Sequence, residues 1–256
     1  MKKCSLKLVF LLTVTLILCG CSWSSFDAPD VPTQEKNELV LSNPLTSSGS
    51  LTASDGSVIA QYDASFPQFV NHSIVASRIN EAFSILYEDA PADMESFFTH
   101  IKTQLGEGWE SMTFDAPFHT IKLEYTLIPS DDDYVCFLSE YTIRENDSES
   151  VYPGVNMFLA STGWSLNYET LFGENTDTAT TLLKSQISEW CNSNGIPTDA
   201  LSKLGNKFFN GKLGISETHL FVCFDPYFFS TQYDKCITVY LPLESYKPLL
   251  IEQSYK

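Results

Sequence analysis

The chain of 256 residues carries 15 Lys and Arg against 32 Asp and Glu, a formal charge of -17, with 43% hydrophobic and 13% aromatic residues. That is enough apolar material for one or two folded domains and too much for wholesale disorder. The acidic excess argues against a nucleic-acid binder, which needs a basic face to neutralise phosphates, and against membrane adsorption through basic residues.

At the amino end, Lys2, Lys3 and Lys7 precede the apolar run Leu8 to Leu18, the pattern of an export signal and too short to span a bilayer. Leu18-Cys19-Gly20-Cys21 follows at once and resembles the bacterial lipobox, which implies a lipoprotein signal peptide over 1–20, cleavage after Gly20 and a diacylglycerol on Cys21. An ordinary secreted signal or an uncleaved anchor helix is the alternative. The removed segment holds three of the 15 basic residues and none of the acidic ones, leaving 12 against 32 and a charge of -20. Acyl chains would supply the membrane affinity and place the protein on the extracytoplasmic face of the cell membrane. Residues 21–55 are rich in Ser, Thr, Asp, Asn and Pro, with few aromatics after Phe26, and read as a flexible tether. About 30 such residues hold a domain roughly 30 Å from the membrane.

Beyond the tether, Val75, Ile79, Ala82, Phe83 and Leu86 recur at helical spacing, with Asn71 or Ser73 as amino cap. Met94, Phe97, Phe98, Ile101 and Leu105 repeat the pattern after a break at Pro91, and Gly106 and Gly108 stop this second helix. From Thr120 the period falls to two. Ile121, Leu123, Tyr125 and Leu127 form one alternating strand, Val135, Phe137, Tyr141 and Ile143 another, and Pro129 to Asp133 is their hairpin loop. The polar run Arg144 to Ser150 is the best candidate boundary, giving an amino-terminal sub-domain over 56–147 and a carboxy-terminal one over 148–256. A third helix spans about Thr178 to Cys191 and ends at Asn194-Gly195-Ile196-Pro197. Strands return at Leu220 to Phe224 and Ile237 to Leu241, joined through Asp225-Pro226-Tyr227 and an aromatic loop. The expected fold class is α+β, with helices packed on an antiparallel sheet.

The stretch Leu220-Phe221-Val222-Cys223-Phe224-Asp225-Pro226-Tyr227, followed by Ser230, Tyr233 and Val239-Tyr240-Leu241-Pro242-Leu243, resembles the closing signature of a family of extracytoplasmic domains. That family forms the sensor half of the RsiV-type anti-sigma factors and the amino-terminal portion of some peptidoglycan deacetylases. Thr162-Gly163-Trp164-Ser165-Leu166 leading to Leu171-Phe172 is similar to the same family's turn and Leu-Phe pair. The strand Tyr62 to Phe69 and the helix with Ile79-Asn80 resemble its companion amino-terminal domain. Two departures stand out. Tyr152-Pro153-Gly154-Val155-Asn156 lies where the family commonly has Gly-Gly-Ala-His after a tyrosine, and Tyr233-Asp234-Lys235-Cys236 lies where a small residue and glycine are usual. The resemblance implies a cell-envelope binding domain, with lysozyme as the partner in the anti-sigma branch. The chain is expected to be neither such an anti-sigma factor, having only Met1 to Lys7 on the cytoplasmic side, nor a deacetylase, lacking the downstream domain and any His-x-x-x-His pair.

Local motifs for chemistry are sparse. His72, His100, His119 and His219 lie in four separate elements without paired spacing, so no metal site and no cofactor is expected. Asp131-Asp132-Asp133 lacks the pattern of a calcium loop, and the chain has no Gly-x-Ser-x-Gly elbow and no Ser-x-x-Lys pair. Outside the signal region four cysteines remain, Cys136, Cys191, Cys223 and Cys236, which allow three pairings. Cys223 and Cys236 flank the Asp225 to Lys235 connection and are the candidate disulfide, while Cys191 on an apolar helix face suits a buried thiol. Tyr227, Phe228, Phe229 and Tyr233 are the candidate binding residues, because clustered aromatics suit a protein hot spot or a sugar ring; inward packing is the competing account. Three readings follow: a non-catalytic surface lipoprotein that binds lysozyme or another envelope protein, a glycan or peptidoglycan binder, and an enzyme whose residues converge only in the fold.

Overall fold

The structure is a computed structural model and describes residues 39–130 and 132–251. The expected signal peptide, Cys21 and the first part of the tether lie outside the described residues. The fold class is α+β, as the periodicity predicts. Six strands form one sheet in the order β1 (Leu45–Thr52), β2 (Val58–Phe66), β3 (His119–Ile128), β4 (Tyr134–Glu145), β5 (Ser148–Leu159) and β6 (Ser165–Leu166). Its ladders are antiparallel, as expected, apart from β2 with β3, which run parallel. The parallel pair follows from connectivity: helix α1 (Ile74–Leu105) carries the chain back to the starting end of the sheet before β3 begins.

Helix α1 starts where the sequence predicts, with Ser73 Oγ accepting from the Ala76 N–H at 3.1 Å. It does not break at Pro91. The missing proline donor costs one helical bond, but Phe97 and Ile101 on the following turns are buried, and tertiary burial carries the helix through. Gly106, with a positive φ of +78° that glycine adopts readily, ends it, its N–H bonding to the Lys102 carbonyl. No helix among the described residues is long and apolar enough to cross a membrane.

Phe83 is the centre of the packing beneath α1. Its ring meets Tyr125 and Phe137 at 5.0 Å, both edge-on, and Phe158 at 5.8 Å, so one helix residue joins β3, β4 and β5. Since successive strand residues point to opposite faces, Cys136 and Met157 belong to a second core on the other side of the same strands. There they pack with α2 (Tyr168–Phe172), α3 (Thr176–Ser193), the short α4 (Asn206–Phe209) and a three-stranded antiparallel sheet of β7 (Leu213–Ile215), β8 (His219–Phe224) and β9 (Ile237–Pro242).

Two expectations about chain organisation are corrected. Residues 45–52, assigned to the tether, form β1 and pair with β2 along their length. Ser47 and Leu51 point inward, and Gly49 admits α1, since a Cβ there would lie 2.5 Å from Met94 Sδ. Hydroxyl-rich composition reads as disorder, yet backbone pairing to a buried neighbour fixes it as strand. The proposed boundary at 147/148 falls in a hairpin: β4 and β5 pair from Glu145 with Ser148 through Tyr134 with Leu159, turning at Asn146 with φ +53°. The two expected sub-domains therefore share one continuous sheet.

One of the four histidines is buried. His119 on β3 is 6% exposed, and burial, followed by the charge of neighbouring His100 on α1, holds its pKa below 6.5. Because the unfolded chain takes this proton first, the contribution of neutral His119 is complete above pH 6.5 and is lost as pH falls through the lowered folded value. Thermal melts from about pH 7 to about pH 5 should therefore show a falling midpoint, and His119→Gln should flatten that slope.

Candidate functional site

The connection between β8 and β9 is built on Phe224, the last residue of β8. Phe228 packs 4.9 Å from Phe224 and 5.0 Å from Phe208, and Phe229 lies 4.8 Å from Phe224 and is buried. These two candidate binding residues are thus anchors directed into the second core. Tyr233 is half-buried; its hydroxyl donates to the Gly195 carbonyl beyond α3 at 3.3 Å, and its own carbonyl accepts from the Tyr227 N–H at 2.6 Å. Tyr227 is left facing solvent, 37% exposed. Its φ of +64° lies in the left-handed region, where a bulky L-residue is strained by about 1–2 kcal/mol. Phenylalanine anchors and the Tyr233 bond hold it there, so the loop presents one tyrosine on a fixed base.

Beside it, Lys212 donates to the Pro153 carbonyl at 2.6 Å and to Asp225 Oδ1 at 2.5 Å. The Lys212 side chain is 16% exposed and that of Asp225 29%, so the pair is partly screened from water. The same turn bonds through the backbone on both sides, Val155 N–H to Gly211 O and Cys223 N–H to Lys212 O, both 2.8 Å. Lys212 thereby ties β5 to the Asp225 end of β8. Tyr152 borders the group: its pKa is raised by burial, then by the charge of Asp225 and by Tyr227. Thus Tyr152, which stands in the segment where the resemblance departs, and Asp225-Pro226-Tyr227, which carries the resemblance, meet at one corner. Both segments stand out in the sequence, whereas no local motif marks Lys212.

The candidate disulfide is corrected. All four described cysteines are free thiols, and the residue opposite Cys223 is Thr238, whose Oγ1 is 3.7 Å from Cys223 Sγ. Cys236 is displaced two residues from that position, and such diagonal neighbours are about 7–8 Å apart, at the limit of disulfide reach. Burial pushes the Cys223 thiol up to about 11 and Cys136 to about 12, which keeps both protonated and unreactive at neutral pH. Cys191 is buried in α3, as the apolar helix face suggests. Among the described residues no three His, Cys, Asp or Glu side chains gather as metal ligands would.

The motif Thr162-Gly163-Trp164 forms the turn between β5 and β6 and clamps the start of α1. Arg78 Nη1 donates to the Thr162 carbonyl at 2.9 Å, and its guanidinium carbon is 4.4 Å from the centre of the Trp164 ring. This corner is a fold joint, separate from the Tyr227 corner.

No protein-family model matches the chain, and no curated protein matches it. Solved structures do. A member of the DUF3298 family from Bacteroides fragilis aligns with a TM-score of 0.59 at 11% identity, covering 85% of this chain and 95% of that one. A DUF3298 family protein from Pseudomonas aeruginosa aligns with a TM-score of 0.51 at 10% identity, covering 84% and 95%. At these identities the likeness is one of fold, and it spans nearly the whole of both relatives.

Proposed function

We propose that the protein is a lipoprotein anchored through Cys21 on the extracytoplasmic face of the cell membrane, with a non-catalytic domain that binds a basic envelope or host protein of the lysozyme class. The observation that carries this reading is Tyr227, an exposed aromatic held in a strained backbone conformation by a bond to Tyr233 and by the inward-packed Phe228 and the buried Phe229. A rigid tyrosine at the centre of a contact loses little conformational entropy on binding, which suits a hot spot. The RsiV-type resemblance supplies the partner class, and the strongly acidic chain would accelerate encounter with a basic protein. A glycan platform needs coplanar exposed rings, whereas those of Phe228 and Phe229 stand at 84° to each other and pack inward against Phe224.

Tyr227→Gly separates binding from folding, because glycine accepts φ +64° without strain while the ring is lost. The variant should melt within about 5 °C of the parent yet bind lysozyme at least about tenfold more weakly. Unchanged affinity would move the contact away from this loop. Cys21→Ser should release the chain from the membrane fraction, and a variant that stays membrane-bound would refute the anchor.

A further inference from the structure

Independently of that reading, we infer that the protein self-associates through β1, the edge strand of the sheet among the described residues, two copies pairing their β1 strands antiparallel about a two-fold axis. The two ends of the six-stranded sheet are finished differently. At the far end, β5 is closed by β6, by the Val155 N–H bond to Gly211 O, by Pro153, which has no N–H, and by Lys212 on the Pro153 carbonyl. At the near end, β1 is the outermost strand among the described residues.

Strand β1 lacks the charge and proline that commonly guard an edge. Its eight residues, Leu45 to Thr52, include no charge and no proline, and its one register irregularity is at the last step, between Leu51 and Thr52. In a chain of charge -17, an uncharged edge is where two copies meet with least repulsion. The partner is a second copy because a neutral, hydroxyl-bearing strand offers nothing to select a charged peptide, whereas its backbone is complementary to itself in the antiparallel sense. A second observation lies beside it. Val40, Leu41, Val70 and Ile74 are all exposed, and Val40 and Leu41 continue the edge towards its amino end, the Val70 N–H bonding to Val40 O and Leu41 bridging Phe69. Singly exposed apolar residues are ordinary, but four together at the end of this edge strand extend the surface that a second copy would cover.

The test is sedimentation of residues 22–256, which retain the whole described body, over about 1 µM to 1 mM, with hydrogen exchange at both ends of the range. The expected result is a concentration-dependent dimer with the Thr46 to Thr52 amides better protected at high concentration. Ser48 and Ser50 are exposed on β1, so the S48K/S50K variant folds normally while placing like charges across the axis; it should weaken the dimer at least about tenfold. A protein that stays monomeric throughout overturns the inference, as does a dimer that S48K/S50K leaves intact or that forms without added protection in β1.

Discussion

Phe83→Ala is expected to destabilise the fold by about 3–5 kcal/mol, the largest loss from a single truncation. Phe83 is fully buried, and its ring is in contact with Tyr125, Phe137 and Phe158 on three neighbouring strands. Truncation removes the transfer contribution of the ring and leaves a cavity that none of these neighbours can fill, since each is anchored on a paired strand. Urea unfolding should show a lower midpoint with an unchanged slope, because the surface exposed on unfolding is nearly the same. A loss below about 1 kcal/mol would mean that α1 is not seated on β3 to β5 as described.

Gly163→Ala should cost about 2–3 kcal/mol. Two effects add. Gly163 has φ +75°, which disfavours any residue with a Cβ, and that Cβ would stand 2.6 Å from Val75 O and 2.9 Å from Val75 Cα. Both are backbone atoms of the first turn of α1, so relief requires shifting the helix and the Arg78 contacts to Thr162 and Trp164. Gly56→Ala is the matched control: its φ is +87°, but nothing lies within 4 Å of the added carbon, so it should carry the conformational cost alone, about 1 kcal/mol. Equal losses in the two variants would show that the turn does not press on α1.

The parts of the fold legible in the sequence were those whose pattern reflects one buried face. The first half of α1, the β3–β4 hairpin and strands β8 and β9 were readable from spacing, because Val75, Ile79 and Phe83, or Ile121, Leu123 and Tyr125, repeat at the period of their element. Strand β1 was hidden because its inward positions include Ser47 and Gly49, which are small or polar yet sit against α1. Strand β5 was hidden for the opposite reason: Val155, Met157 and Leu159 face one core while Phe158 faces the other, so alternation disappears. Pro91 looked like a stop because local propensity is blind to the burial that continues the helix.

For the candidate site, residue types were legible and orientations were not. Tyr227, Phe228, Phe229 and Tyr233 were visible as a cluster, but only packing against Phe224 and Phe208 decides that the two phenylalanines turn inward and Tyr227 outward. The Lys212 contacts join residues 13 and 59 positions apart, and no local pattern encodes them.

The most direct measurement is calorimetric titration of residues 22–256 with lysozyme at low and at moderate salt. Exposed charges more than about 10 Å apart are screened at about 0.1 M salt, so non-specific attraction between an acidic and a basic protein should fade there. The account predicts saturable one-to-one binding that persists at moderate salt and is lost in Tyr227→Gly. Heat that vanishes with salt in the parent protein would contradict it and leave only the general attraction of opposite charges.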